Sequence, residues 1–179
     1  LHLSIRRQRQ MCIRDSRALH YMQQVLERNP ENAQALNYIG YTWAERGENL
    51  DEAERLIEQA VSLAPRDGYI LDSLGWVYYM RARPLMEGER REEGLELLGR
   101  AIEQLNLADE LTGGDPVVSE HLGDVYLLLD QRQRALEYYE EAVDHKPRED
   151  EQPHLYEKLD RLRRALGHDP RTSPEPGER

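Results

Sequence analysis

The 179-residue chain has one cysteine, two lysines and no apolar run near the roughly 18–20 residues that a membrane-spanning helix needs. The lone Cys12 excludes a disulfide framework and any cysteine-based zinc site. No stretch reads as a charged n-region followed by an apolar h-region. The histidines, His2, His20, His121, His145, His154 and His168, are scattered rather than paired at metal-ligand spacing. No dinucleotide-binding glycine pattern, phosphate loop, nucleophile elbow or H-E-x-x-H occurs, and the serines have no recognisable base partner. Carboxylates such as Glu137, Glu140 and Glu141 near Arg134 read as solvated helix faces with i,i+3 and i,i+4 pairing. The chain therefore reads as a non-enzyme that takes no cofactor and no metal. Its net charge of −11 leaves no basic patch for phosphate backbones or anionic lipid, which removes nucleic acid as an expected partner. The 22 arginines against two lysines suggest a GC-rich genome.

The basic start, LHLSIRRQRQMCIRDS, is expected not to be native. One back-translation of Leu1 through Ser16 matches a transposase-type sequencing-library adapter running into its transposon end, so the segment is set aside like any fusion scar. Arg6, Arg7, Arg9 and Arg14 against Asp15 leave with it, which takes the net charge from −11 to −14, and Cys12 leaves as well. The native chain is accordingly expected to extend upstream of Arg17, where a leader or lipid anchor could lie.

What the rest contains is a repeat. LNYIGYTW from Leu36, LDSLGWVY from Leu71 and SEHLGDVY from Ser119 share an apolar-Gly-x-x-aromatic core. Each precedes a second periodic stretch with small residues at fixed offsets: Ala53, Ile57, Ala60 and Pro65, then Gly94, Leu98 and Ala101, then Ala135, Tyr139, Ala142 and Pro147. Apolar residues at i, i+3, i+4 and i+7 make one helical stripe, and two stripes joined by a short turn make a helical hairpin. Gly40, Gly75 and Gly123 each cost about 1 kcal/mol of helix propensity relative to alanine, so they are expected to admit a neighbouring helix. Pro30, Pro65 and Pro147 stop the second helices. Asp67-Gly68 and Asp115-Pro116 read as N-caps opening the next ones.

These residues resemble the tetratricopeptide repeat, W-x2-L-G-x2-Y followed by A-x3-F and a closing Pro. Leu122, Gly123, Tyr126, Ala135, Tyr139, Ala142 and Pro147 meet that pattern, with Ser119 in place of the initial large residue. The resemblance implies an all-α, right-handed superhelical solenoid of antiparallel helix pairs with a C-terminal capping helix. The expected organisation is a partial repeat at 17–30 carrying only the second helix, through Ala18, Met22 and Val25. Full repeats follow at 33–66, 68–114 and 116–148, then a capping helix at 152–166 and a disordered tail over 167–179, which is rich in proline and polar residues. The second repeat is long: Gly75 to Gly123 is 48 residues against 35 from Gly40 to Gly75. The excess falls around Arg83–Arg90 and in LNLADELTGG after Leu105. It reads either as a projecting partner contact or as insertions tolerated at hairpin ends.

By the geometry the resemblance implies, first helices line a concave groove through the positions flanking each glycine. These are Asn37, Tyr41 and Glu45, then Tyr69, Asp72, Trp76 and Tyr79, then Glu120, Asp124 and Leu128. Aromatic and acidic side chains there suit an extended peptide or a protein loop. Inter-repeat packing is the competing role for Tyr41, Trp76 and Tyr79. The stretch PRDGYILDSLGWVYY is similar to exported bacterial repeat proteins, among them outer-membrane lipoprotein adaptors that bind a carboxyl-terminal processing protease. That likeness implies a protein-binding scaffold on the periplasmic face of the outer membrane. The alternative is an accessory arm of an enzyme, such as a glycosyltransferase, peptidase or kinase, encoded upstream. A third possibility is self-assembly through the apolar face of the partial repeat.

Overall fold

The computed structural model describes residues 16–145, 152 and 154–167. The adapter-like segment up to residue 15, Pro147 and the tail from 168 lie outside the described residues, as do His2, His168 and Cys12. Among the described residues the regular elements are eight helices and no strands. They are α1 (16–28), α2 (Ala33–Arg46), α3 (Leu50–Leu63), α4 (Gly68–Met86), α5 (Arg91–Thr112), α6 (Pro116–Leu128), α7 (Arg132–Asp144) and α8 (Leu155–Ala165). The chain divides into two compact units, Leu1–Leu111 and Thr112–Arg179.

In the first unit, polar caps set the helix starts. Asn32 Oδ1 accepts from the Ala35 N–H at 2.8 Å and opens α2. The Asp67 carboxylate accepts from the Tyr69 and Ile70 N–H groups at 3.0 and 3.3 Å and opens α4. Gly47, at φ 65°, closes α2 in a left-handed conformation that a side chain would strain. Between the caps, Leu36 and Ile39 of α2, Leu56 and Ala60 of α3 and Ile70 of α4 form one buried cluster. Leu19, Met22 and Leu26 of α1 pack against it. Each large aliphatic side chain so buried contributes about 1.5–3 kcal/mol.

The helix glycines admit neighbours, as their propensity cost predicts. A Cβ on Gly40 would lie 2.6 Å from Ile57 Cγ1 and 2.9 Å from the Ala53 carbonyl oxygen. On Gly75 it would lie 2.5 Å from Leu105 Cγ. The long pair is accommodated mainly by helix: α4 has 19 residues and α5 has 22, against 14 each in α2 and α3. LNLADELT extends α5. Arg83 to Met86 continue α4, however, with Pro84 inside the helix, and only 87–90 form the turn. Proline is tolerated there because it lies in the last turn and leaves one carbonyl, that of Met80, without its usual donor. Arg91 then donates to the Met86 carbonyl at 3.0 Å, satisfying a terminal acceptor.

A polar network ties α3, α4 and α5. Glu54, buried on α3, pairs with Arg81 of α4, which also reaches Asp51 at 2.9 Å. Arg100 of α5 bonds the Tyr78 hydroxyl, approaches Glu58 at 3.5 Å, and lies with Cζ 4.0 Å from the Tyr78 ring centroid. Burial pushes the Tyr78 phenol above its ordinary pKa; the Arg100 charge opposes that and Glu58 adds to it.

In the second unit, Asp115 caps α6 by accepting from the Val117 N–H at 2.9 Å, with Pro116 in the first turn. Gly123 lies against the Tyr139 ring, so that a Cβ would overlap it. Tyr126 and Tyr138 stack at 5.3 Å. Leu155, Leu159 and Leu162 form the buried stripe of α8, which packs on α7, and Arg163 reaches back to Glu140 at 2.8 Å.

Candidate functional site

Helix register brings the expected first-unit residues onto two faces. On α2, Asn37, Tyr41 and Glu45 recur every four residues, and the Tyr41 hydroxyl donates to Glu45 Oε1 at 3.2 Å. Asn37 is half-buried, and its side-chain oxygen is shielded from solvent without a hydrogen-bond partner. On α4, Tyr69 is 63% exposed, whereas Asp72 is buried at 6%. Trp76 and Tyr79 are half-buried and stack at 4.8 Å with an interplanar angle of 26°. Arg83, expected in the Arg83–Arg90 excess rather than among the groove positions, continues this row with its guanidinium 5.8 Å from the Tyr79 ring centroid. Tyr69, Trp76, Tyr79 and Arg83 thus run along one side of α4, a strip of aromatic area ending in a cation.

The second-unit residues are placed differently. Glu120 and Asp124 are each only 8% exposed, and the chain itself engages them. Lys158 of α8 donates to Glu120 Oε1 at 2.6 Å and to Asp124 Oδ2 at 2.7 Å. The Gln152 amide donates to Glu120 Oε2 and to the Pro116 carbonyl, both at 2.7 Å. The Tyr139 hydroxyl donates to Asp124 Oδ1 at 2.6 Å. All four carboxylate oxygens of the pair therefore have a hydrogen-bond or ion partner, which offsets the cost of burying them. Their expected availability to a partner is replaced in this structure by contact with the cap.

Burial alone would lower the Lys158 pKa, but the Asp124 and Glu120 carboxylates outweigh it and hold the ammonium above its ordinary value. The stabilisation this implies is complete below the unfolded-state value of about 10.4 and is lost as pH rises through the higher folded-state value. The Lys158 contribution to the thermal unfolding midpoint is accordingly expected to hold from neutral pH up to about pH 10 and to fall above it. Lys158→Met should remove that part of the alkaline loss. Parallel alkaline slopes in the two proteins would contradict it.

Among the described residues no helix is long and apolar enough to cross a membrane. No group of three or more histidine, cysteine, aspartate or glutamate side chains gathers there as if to hold a metal ion.

Comparison with known proteins agrees with this geometry. Family models of the tetratricopeptide repeat match residues 16–68 and 120–148. A TPR repeat-containing protein of Pseudomonas aeruginosa is 47% identical over 66 residues, which is 37% of this chain and 11% of that relative's length. A thermophilic TPR protein of Thermus thermophilus shares the fold at a TM-score of 0.75 and 24% identity, over 94% of this chain and 81% of that one. The first TPR domain of the human RPAP3 protein superposes at a TM-score of 0.60 and 17% identity, over 81% of this chain and the whole of that domain. The chain carries tetratricopeptide repeats, helical hairpins that generally form non-catalytic scaffolds for protein–protein interaction.

Proposed function

We propose that the chain is a protein-binding scaffold whose first unit takes an extended peptide or loop across Asn37 and Tyr41 of α2 and Tyr69, Trp76 and Tyr79 of α4. The observation that carries this reading is the aromatic row of α4: Tyr69 stands in solvent, and Trp76 and Tyr79 remain half-exposed although they stack on each other. Aromatic side chains in such a row offer large contact area at low entropic cost and are frequent anchors of interfaces. Asp72, at 6% exposure, offers a partner little surface. Glu120 and Asp124 belong to the cap and not to this face.

The finer reading is an adaptor of the exported lipoprotein kind that presents substrates to a carboxyl-terminal processing protease. Its support is the likeness of PRDGYILDSLGWVYY, which supplies Tyr69, Asp72, Trp76 and Tyr79 at once. Surface-plasmon titration of a purified protease of that class over the immobilised chain tests it. Saturable binding that Tyr69→Ala and Trp76→Ala each weaken about tenfold supports the adaptor role; binding that neither variant changes, or none, removes it.

A further inference from the structure

We propose that α8 is a displaceable occupant of the third repeat's acidic face, and that the partner fitted to this face is an amphipathic helix carrying one lysine among leucines, as α8 does. The inference concerns the second unit alone and stands apart from the aromatic row of the first. Gln152, Leu155, Lys158, Leu159 and Leu162 already display the recognition chemistry. Three buried leucines lie on one stripe, an ammonium spans the Glu120–Asp124 pair at 2.6 and 2.7 Å, and an amide donates to Glu120 and to the Pro116 carbonyl.

Two features make the occupant removable. α8 has only 11 residues, and its N-cap, His154, contributes no side-chain hydrogen bond. A helix that short is marginal in water on its own, so α8 keeps its form by docking. Its outer side is open, with Tyr156 48% exposed and the Lys158 side chain retaining 30% of its accessibility. A partner helix held folded by its own protein makes the same ammonium bridge without having to order itself, whereas the isolated α8 sequence orders on docking.

Loss of α8 from the face would leave the two carboxylates without their cation, and that is the state that a second lysine-bearing helix relieves. While α8 stays docked, an incoming helix binds with its affinity reduced by the fraction of molecules whose face is open. The cap is then an autoinhibitory contact, and anything that loosens it raises the affinity for the partner.

The test uses the full chain and a fluorescein-labelled peptide with the sequence of residues 150–167, followed by fluorescence anisotropy. Wild type is expected to bind the peptide weakly and the Lys158→Met chain at least tenfold more tightly. The same peptide carrying Lys158→Glu should bind neither. Adding Glu120→Gln and Asp124→Asn to Lys158→Met should abolish binding while circular dichroism shows native helical content. If Lys158→Met loses helicity beyond α8, Leu162→Ser, which weakens only the apolar stripe, carries the same expectation. Equal affinity for wild type and variant, no binding to a natively helical variant, or equal affinity for the lysine and glutamate peptides overturns the proposal. Concentration-dependent dimerisation of wild type, seen by sedimentation, would instead assign the face to α8 of a second copy and overturn it as well.

Discussion

Tyr139→Ala is expected to lower the stability of the second unit by about 3–5 kcal/mol, the range for removing a large aromatic side chain from a packed interior. Tyr139 is fully buried, packs its ring against Gly123, and donates its hydroxyl to Asp124 Oδ1 at 2.6 Å. Truncation opens a cavity where the glycine supplies no side chain to collapse inward, and it takes one donor from a buried carboxylate. Tyr139→Phe separates the two causes, because it keeps the ring and removes only a hydrogen bond to a charged acceptor, at about 1.5–3 kcal/mol. Urea unfolding followed by circular dichroism reads both. A Tyr139→Phe chain as stable as wild type would show that the Asp124 bond contributes nothing, and a loss under about 1 kcal/mol for alanine would contradict the packing account.

Gly75 and Leu105 should behave as a coupled pair. Leu105 is fully buried, and its Cγ stands 2.5 Å from where a Cβ on Gly75 would be. Leu105→Ala alone should cost about 2–5 kcal/mol through the cavity it leaves. Gly75→Ala alone should cost about 1–3 kcal/mol, because a fully packed leucine cannot move aside. Together the losses should fall short of their sum by about 1–2 kcal/mol, since the new methyl enters the space that Leu105 vacates. Recovery stays partial because the Ala101 carbonyl oxygen is 3.2 Å from the same point and belongs to the backbone. Strict additivity in a double-mutant cycle would mean that the close approach is not what fixes the glycine.

The glycine positions and the aspartate caps were legible in the sequence because each is a local requirement. A helix that needs close approach must drop its Cβ, and a helix that needs a start must find an acceptor for its orphan N–H groups. The repeat spacing then located the helix pairs and the register of Asn37, Tyr41, Trp76 and Tyr79. The fate of Glu120 and Asp124 was not legible, because what covers them comes from Gln152 and Lys158, more than thirty residues downstream. Flanking a glycine specifies a face of a helix but not what else in the chain will occupy it. Lys158 did leave a sequence signal, as one of only two lysines, placed between leucines on an amphipathic stretch, and a search for a cation to match the acidic groove could have found it. The Arg83–Arg90 excess was only partly legible, because its first four residues continue α4 and Pro84, within the final turn, costs that helix a single carbonyl acceptor's partner.

The most direct test of the scaffold claim is selection of binders from a random peptide display library on the immobilised chain. Affinities of the enriched peptides are then measured for wild type and for Trp76→Ala. The account predicts enriched sequences that bind wild type and lose at least tenfold affinity for Trp76→Ala, whose helical content by circular dichroism stays native. Enriched peptides that bind both proteins equally, or a collapse of helicity in Trp76→Ala, would contradict it: in the first case the binding face lies elsewhere, and in the second Trp76 is part of the core.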